Sequence, residues 1–181
     1  PSNWPADVVY LNKQRYDPKL PPIVRKRIQS SGSVKPLQKS RLVKIQVIAD
    51  PSHPARGQRG LFASQKIPPS THILDYLGEV HSDDRLDSDY DLSLLQSSSP
   101  LSGNDTETCT NIGVDAMRMG NEARFINDYR GTGVAKPNVD FREREVDGEL
   151  RMSVWSCARG LRKGEEILVS YGKSWWKARS Q

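Results

Sequence analysis

Apolar and polar positions along the chain alternate in short runs, each closed by proline or glycine. RLVKIQVIAD, residues 41–50, places Val43, Ile45 and Val47 on one side of an extended segment, and Asp50-Pro51 ends it. GLFASQKI, residues 60–67, predicts a second strand closed by Pro68-Pro69, and THILDYLGEV, residues 71–80, a third that ends at Gly78-Glu79. NVDFRERE and LRMSVWSCA predict two paired strands around the turn Asp147-Gly148, and EILVSY a last strand before a short C-terminal helix holding Trp175 and Trp176. Helical spacing is scarce elsewhere, with a short helix around Ile23–Gln29 and a helix or turn at Asn121–Arg124. The expected architecture is mainly β with short helices, built from several small sheets.

Charge divides the chain. Residues 1–46 carry ten Lys or Arg against two Asp, whereas residues 47–120 are net acidic, within an overall net charge of +5. This predicts a basic N-terminal arm over residues 1–40 and one domain over 41–181, interrupted by an acidic and Ser-rich insertion at about 81–115. The arm is a candidate contact for nucleic acid or for the acidic surface of a nucleosome; the other reading is a solvated linker. Cys109 and Cys157 form no CxxC pair, and His53, His72 and His81 complete no zinc ligand set, so neither a structural zinc nor a disulfide is expected. No apolar run approaches the roughly 18 residues of a membrane span, so no membrane partner is expected.

Two segments about forty residues apart carry the chemistry: NEARFINDYRG, from Asn121 to Gly131, and GEEILVSYG, from Gly164 to Gly172. Read alone, the first is core plus a turn and the second a turn into a strand. Together, in this order, followed by Pro137-Asn138 in the first case and preceded by RGLFA and YLGE, they resemble the SET-domain protein lysine methyltransferases. The resemblance runs from about Arg41 to Trp176 and implies small sheets with the C-terminal segment threaded through an earlier loop, a pseudoknot that departs from ordinary chain connectivity.

The resemblance also implies roles. Arg59, Gly60 and Leu61, in ARGQRGLFA, match a Gly-x-Gly motif that holds S-adenosylmethionine, with Gln58 in place of the first glycine. Arg124, Phe125, Asn127 and Asp128 match the main cofactor-binding motif, Asn127 near the methionine end. The family continues His-Ser-Cys after that asparagine, where this chain has Asp128-Tyr129-Arg130; the lost cysteine goes with the absence of a zinc-binding cysteine-rich tail. Tyr171 matches the catalytic tyrosine, Tyr76 lines the lysine channel, and Tyr90 is expected to line the cofactor site or that channel. Val169 stands where relatives carry Phe or Tyr, which implies room for more than one methyl group. Asp83, Asp84, Asp87, Asp89 and Asp91 are expected on one wall of the peptide groove, facing a basic target, or else form a solvated acidic loop. Trp175 and Trp176 either cover the channel or plug the sheet.

The implied activity is methyl transfer from S-adenosylmethionine to a lysine side chain, releasing S-adenosylhomocysteine, on a histone tail or nucleosome. Such transfer needs no metal and no acid–base triad, but the lysine must be neutral, which costs about 4–5 kcal/mol at pH 7. A partly dry channel lowers that cost. Three alternatives stay open: a non-histone lysine substrate, a SET-like module that binds peptide or nucleosome without catalysis, and a basic nucleic-acid-binding domain using residues 1–46. A nuclear location follows from the supposed substrate and the run Arg25-Lys26-Arg27, with the cytoplasm as the alternative.

Overall fold

The structure, a computed structural model, describes residues 1–29, 35–97 and 110–172. Its strands are short and sort into five small sheets. β1 (Val9–Tyr10) and β2 (Arg15–Tyr16) come from the basic stretch, which also forms helix α1 (Pro22–Ile28). Pro22 suits the first turn, where its missing N–H is no loss. Val24 and Ile28, four residues apart, are buried and leave Arg25, Lys26 and Arg27 exposed. The stretch therefore packs on the domain rather than standing off it.

β3 (Val43–Val47) pairs antiparallel with β4 (Arg59–Ala63), burying Val43, Ile45, Leu61 and Ala63. The third predicted strand is two strands in separate sheets: β5 (His72–Tyr76) and β6 (Glu79–His81). The break has a steric cause. A Cβ on Gly78 would lie 2.4 Å from the carbonyl oxygen of Asp115, so a neighbouring backbone passes at a distance only glycine allows. That neighbour belongs to β8 (Thr110–Asp115), which with β7 (Asp91–Ser97) extends the sheet of β2 and β6. The segment read as an insertion thus supplies two strands of the largest sheet.

β9 (Met119–Gly120) pairs with β1, and a single 3₁₀ turn, Glu122–Phe125, follows. β11 (Val139–Val146) and β12 (Glu149–Ser156) form the expected hairpin, and β12 continues onto β5. Asp147 and Gly148 both have positive φ, 52° and 74°, the twist a two-residue hairpin turn requires. The last predicted strand shrinks to β13 (Leu168–Val169), which pairs with β10 (Asn127–Asp128). The helix expected around Trp175 and Trp176 lies outside the described residues.

A buried polar chain ties the basic stretch to the central hairpin. The Tyr16 hydroxyl donates to Glu149 at 2.8 Å, Arg151 donates to Glu149 at 2.6 Å and to Asp75 at 3.1 Å, and Ser153 donates to Asp75 at 2.6 Å. Every charge in the chain is paired, which is what makes its burial tolerable.

Candidate active site

The two motif segments meet because β10 and β13 run parallel in register, Asn127 beside Leu168 and Asp128 beside Val169. Asn138 completes the junction by acting as a piece of strand. Its side chain donates to the Glu166 carbonyl at 2.7 Å and accepts from the Leu168 N–H at 2.8 Å. On the opposite side, the Ala63 N–H donates to the Glu165 carbonyl at 2.8 Å and the Ile167 N–H to the Leu61 carbonyl at 2.7 Å. Residues 165–168 are therefore held between β4 and the loop 127–138, the placement the threaded fold requires.

At this junction lies a cleft of about 690 Å³, within the range of small-molecule sites. Arg124 and Phe125 from the 3₁₀ turn, Asn127 and Asp128 from β10, Arg59 from β4, Tyr90 and Tyr171 all line it. Arg124 is largely committed to structure. Its Nε donates to the Ala116 carbonyl at 2.9 Å, and its guanidinium stacks 4.1 Å from the Tyr90 ring centre. Arg124 thereby fixes Tyr90, a cation–π contact inside the cleft wall.

The Tyr171 hydroxyl donates to the Ile126 carbonyl at 2.8 Å. Burial raises its pKa above the phenol range, with the Asp128 charge adding to the effect. Burial does the same to Tyr76, helped by neighbouring Tyr171, and the Tyr76 hydroxyl donates to the Tyr90 carbonyl at 2.7 Å. Both tyrosines are neutral at physiological pH. With its proton given to a carbonyl, what the Tyr171 oxygen offers the cleft is lone-pair density.

Asp128 acts through its side chain. Its carboxylate accepts from the Tyr171 N–H at 2.7 Å, the Arg130 N–H at 2.8 Å and the Arg130 guanidinium at 2.8 Å. It is a clamp that fixes where the Tyr171 backbone leaves β13.

Several expected site residues sit elsewhere. Gly60 and Leu61 are buried and do not line the cleft. A Cβ at Gly60 would meet Glu166 Oε1 at 2.8 Å, so a larger residue there would displace that carboxylate. Val169 is buried in the core and also lies off the cleft, as does the Tyr76 ring, which packs edge-on to Phe141. Asp83 and Asp91 of the acidic segment are paired, and its one arginine chiefly gathers carboxylates from outside it. Arg85 pairs with Glu79 at 2.9 Å, Asp115 at 3.1 Å, Asp17 at 3.4 Å and Asp83 at 3.5 Å. His81 lies 3.1 Å from Asp83 and 2.8 Å from Asp91. Asp89 lines the cleft, while Asp84 and Asp87 are exposed at the surface. Trp175 and Trp176 lie outside the described residues.

Sequence reasoning missed two contributors. Pro5, Asp7 and Val8 of the basic stretch form a cleft wall, pinned by Trp4, whose ring packs edge-on to Phe125 at 5.6 Å. No local signal marks this contact, since it joins residues over a hundred positions apart. The second is Glu166, which accepts from the Asn127 amide at 3.0 Å and lies 3.1 Å from His53 Nε2. His53 Nδ1 accepts from the Ala55 N–H at 3.0 Å.

Residues 58–172 match the family model of the SET domain. The chain is 26% identical over 137 residues to histone-lysine N-methyltransferase ASHH3 of Arabidopsis thaliana, covering 76% of this chain and 34% of that protein. It is 31% identical over 120 residues to human histone-lysine N-methyltransferase EHMT1, covering 65% of this chain and 8% of that protein. The chain thus spans about a third or less of the length of these curated relatives. Among solved structures, it resembles a chain of an active polycomb repressive complex 2 in the basal state, with a TM-score of 0.54 and 25% identity, over 74% of this chain and 16% of that one. With the family match spanning well over half its length and both motif segments meeting at one cleft, the chain belongs to the SET-domain family.

Proposed function

We propose that this protein transfers methyl groups from S-adenosylmethionine to a lysine side chain, on a histone tail or nucleosome. The observation that carries the reading is the convergence of Arg124–Asp128 and Tyr171 at one cleft, through the parallel pairing of β10 and β13. The cleft suits the cofactor chemically. Its lining carries Arg59, Asp7 and Asp89, charges of both signs for a zwitterionic methionine end, and Phe125 and Tyr90 offer aromatic surface. Gln58 does not strain the backbone, since its φ is not positive; the positive φ falls on neighbouring Gly57. S-adenosylmethionine, when bound, supplies the electrophilic sulfonium methyl and departs as S-adenosylhomocysteine.

The chain's own residues supply the rest. The Asn127 amide gives its N–H to Glu166, and its carbonyl oxygen is the acceptor this reading assigns to an ammonium. The Tyr171 oxygen presents lone pairs that orient the lysine amine and polarise methyl C–H bonds. Tyr76 holds the Tyr90 carbonyl and so the far wall. The reading assigns the exposed Asp84, Asp87 and Asp89 to a basic peptide, and the lack of an aromatic ring at Val169 to tolerance of di- or trimethylation. A histone substrate places the protein at chromatin in the nucleus. Contact of exposed Arg25 and Lys26 with nucleic acid would accompany it.

The test is transfer of labelled methyl to core histones, to nucleosomes and to a cell extract lacking histones, beside calorimetry with S-adenosylmethionine. Label on histones supports the proposal. Cofactor binding with label only in the extract would move the substrate away from histones, and absence of both cofactor binding and transfer would leave a non-catalytic binding module.

A further inference from the structure

Beside the 3₁₀ turn, and lined by none of the cleft's residues, is a second cavity of about 200 Å³. Leu11, Leu37, Ile73, Leu74 and Leu77 give it apolar wall, beside polar residues that include Lys39 and His72, neither of which pairs with Glu122. Inside it stands Glu122, only 3% exposed. Both carboxylate oxygens of Glu122 accept from one donor, the Tyr10 hydroxyl, at 3.2 Å and 3.1 Å. Among the described residues no Lys, Arg or His pairs with Glu122, and this sets it apart from the other buried carboxylates. Asp75 and Glu149 are each met by Arg151, Asp115 by Arg85 and Asp128 by Arg130. A buried carboxylate held by a single neutral phenol is under-compensated, because two oxygens have room for about four donors.

We infer that this cavity is a binding site for a cationic side chain, arginine or lysine, presented by a partner protein. The apolar walls suit an aliphatic stem and Glu122 the charged head, the complement of an amphipathic cationic side chain. Glu122 lies too deep to be reached by a rigid protein surface, whereas a flexible side chain of that length enters a cavity of this size. Occupancy reaches the proposed active site by a short route of packed rings. Tyr10 packs edge-on to Trp4 at 5.1 Å, and Trp4 to Phe125 in the cleft wall at 5.6 Å. A cation that draws Glu122 off the Tyr10 hydroxyl therefore shifts the ring that pins Phe125.

The test is an NMR titration of the full chain with butylguanidinium, and with n-butanol as its uncharged counterpart. Butylguanidinium is expected to shift the Trp4 indole N–H and the Tyr10 and Glu122 amides saturably, and butanol to leave them unmoved. Glu122→Gln should weaken binding about tenfold or more, since a charged hydrogen bond is lost. Tyr10→Phe, which keeps the carboxylate, should bind at least as tightly as wild type. An arginine-bearing peptide should produce the same shifts, and its Arg→Gln counterpart should not. Absence of saturable shifts, equal binding by Glu122→Gln, or loss of binding in a natively folded Tyr10→Phe would overturn the inference. A free polyamine binding where the peptide does not would overturn the protein as its source.

Discussion

Asp128 offers the sharpest perturbation, because its carboxylate is buried and accepts from the Tyr171 N–H, the Arg130 N–H and the Arg130 guanidinium. Asp128→Asn keeps the shape but replaces one acceptor oxygen with an NH₂ group. Oδ2 serves two donors and Oδ1 one, so the amide settles with its oxygen at Oδ2 and its NH₂ against the Arg130 N–H. One charge-assisted bond is lost and the others weaken, a cost of about 1–3 kcal/mol. Asp128→Ala removes all three and strands the Tyr171 N–H, for about 3–5 kcal/mol, less than the sum of three separate bonds because they share one group. Tyr171 then loses its anchor, and a displacement of about 1 Å at a reacting group is worth roughly a hundredfold in rate. Urea denaturation and methyl-transfer kinetics on the same preparations read both effects. Asp128→Asn should lower kcat while S-adenosylmethionine still binds. If Asp128→Ala stays within about 0.5 kcal/mol of wild type, as a plain surface position would, the clamp does not exist.

Gly60→Ala should destabilise by about 1–3 kcal/mol and weaken cofactor binding in calorimetry, because its Cβ would press Glu166 off Asn127. Burial pushes the Asp75 carboxyl up, but hydrogen bonds from His72, Ser153 and Arg151 outweigh it and hold its pKa at about 2. A depressed pKa contributes stability above the unfolded value that is lost as pH falls, so about 2 kcal/mol should disappear between pH 4 and pH 2. Urea melts across that window should show this acid limb, and Asp75→Asn should flatten it. Burial lowers the His81 pKa, yet the Asp91 carboxylate and other acceptors raise it overall. Its stabilisation is complete below about pH 6.5 and fades as pH rises through the raised value. His81→Gln should remove that slope from thermal melts between pH 6 and 9.

Local patterns were legible where local physics decides them. The hairpin at Asp147-Gly148 follows from a turn that needs two positive φ values, and α1 from Val24 and Ile28 at helical spacing. The site's two halves were legible as motifs, but not their junction, which depends on Asn138 bonding a strand about thirty residues later. The split of residues 71–80 was hidden because the backbone that forces it, at Asp115, is distant in sequence. The acidic segment was legible as charge, but the partners of its one cation were not: Arg85 gathers Asp17, Glu79 and Asp115 from three other places. Composition reports charge and is silent on who neutralises it.

The central claim is that Tyr171 acts at the cleft formed with Arg124–Asp128. It is tested most directly by mass spectrometry of histones incubated with S-adenosylmethionine and either wild type or Tyr171→Phe, with both proteins shown to bind the cofactor. The substitution removes the hydrogen bond to the Ile126 carbonyl, a loss of about 1 kcal/mol of stability. Methylated lysine from wild type, reduced at least about a hundredfold in the folded, cofactor-bound variant, is the predicted result. Equal methylation by the two proteins would contradict it.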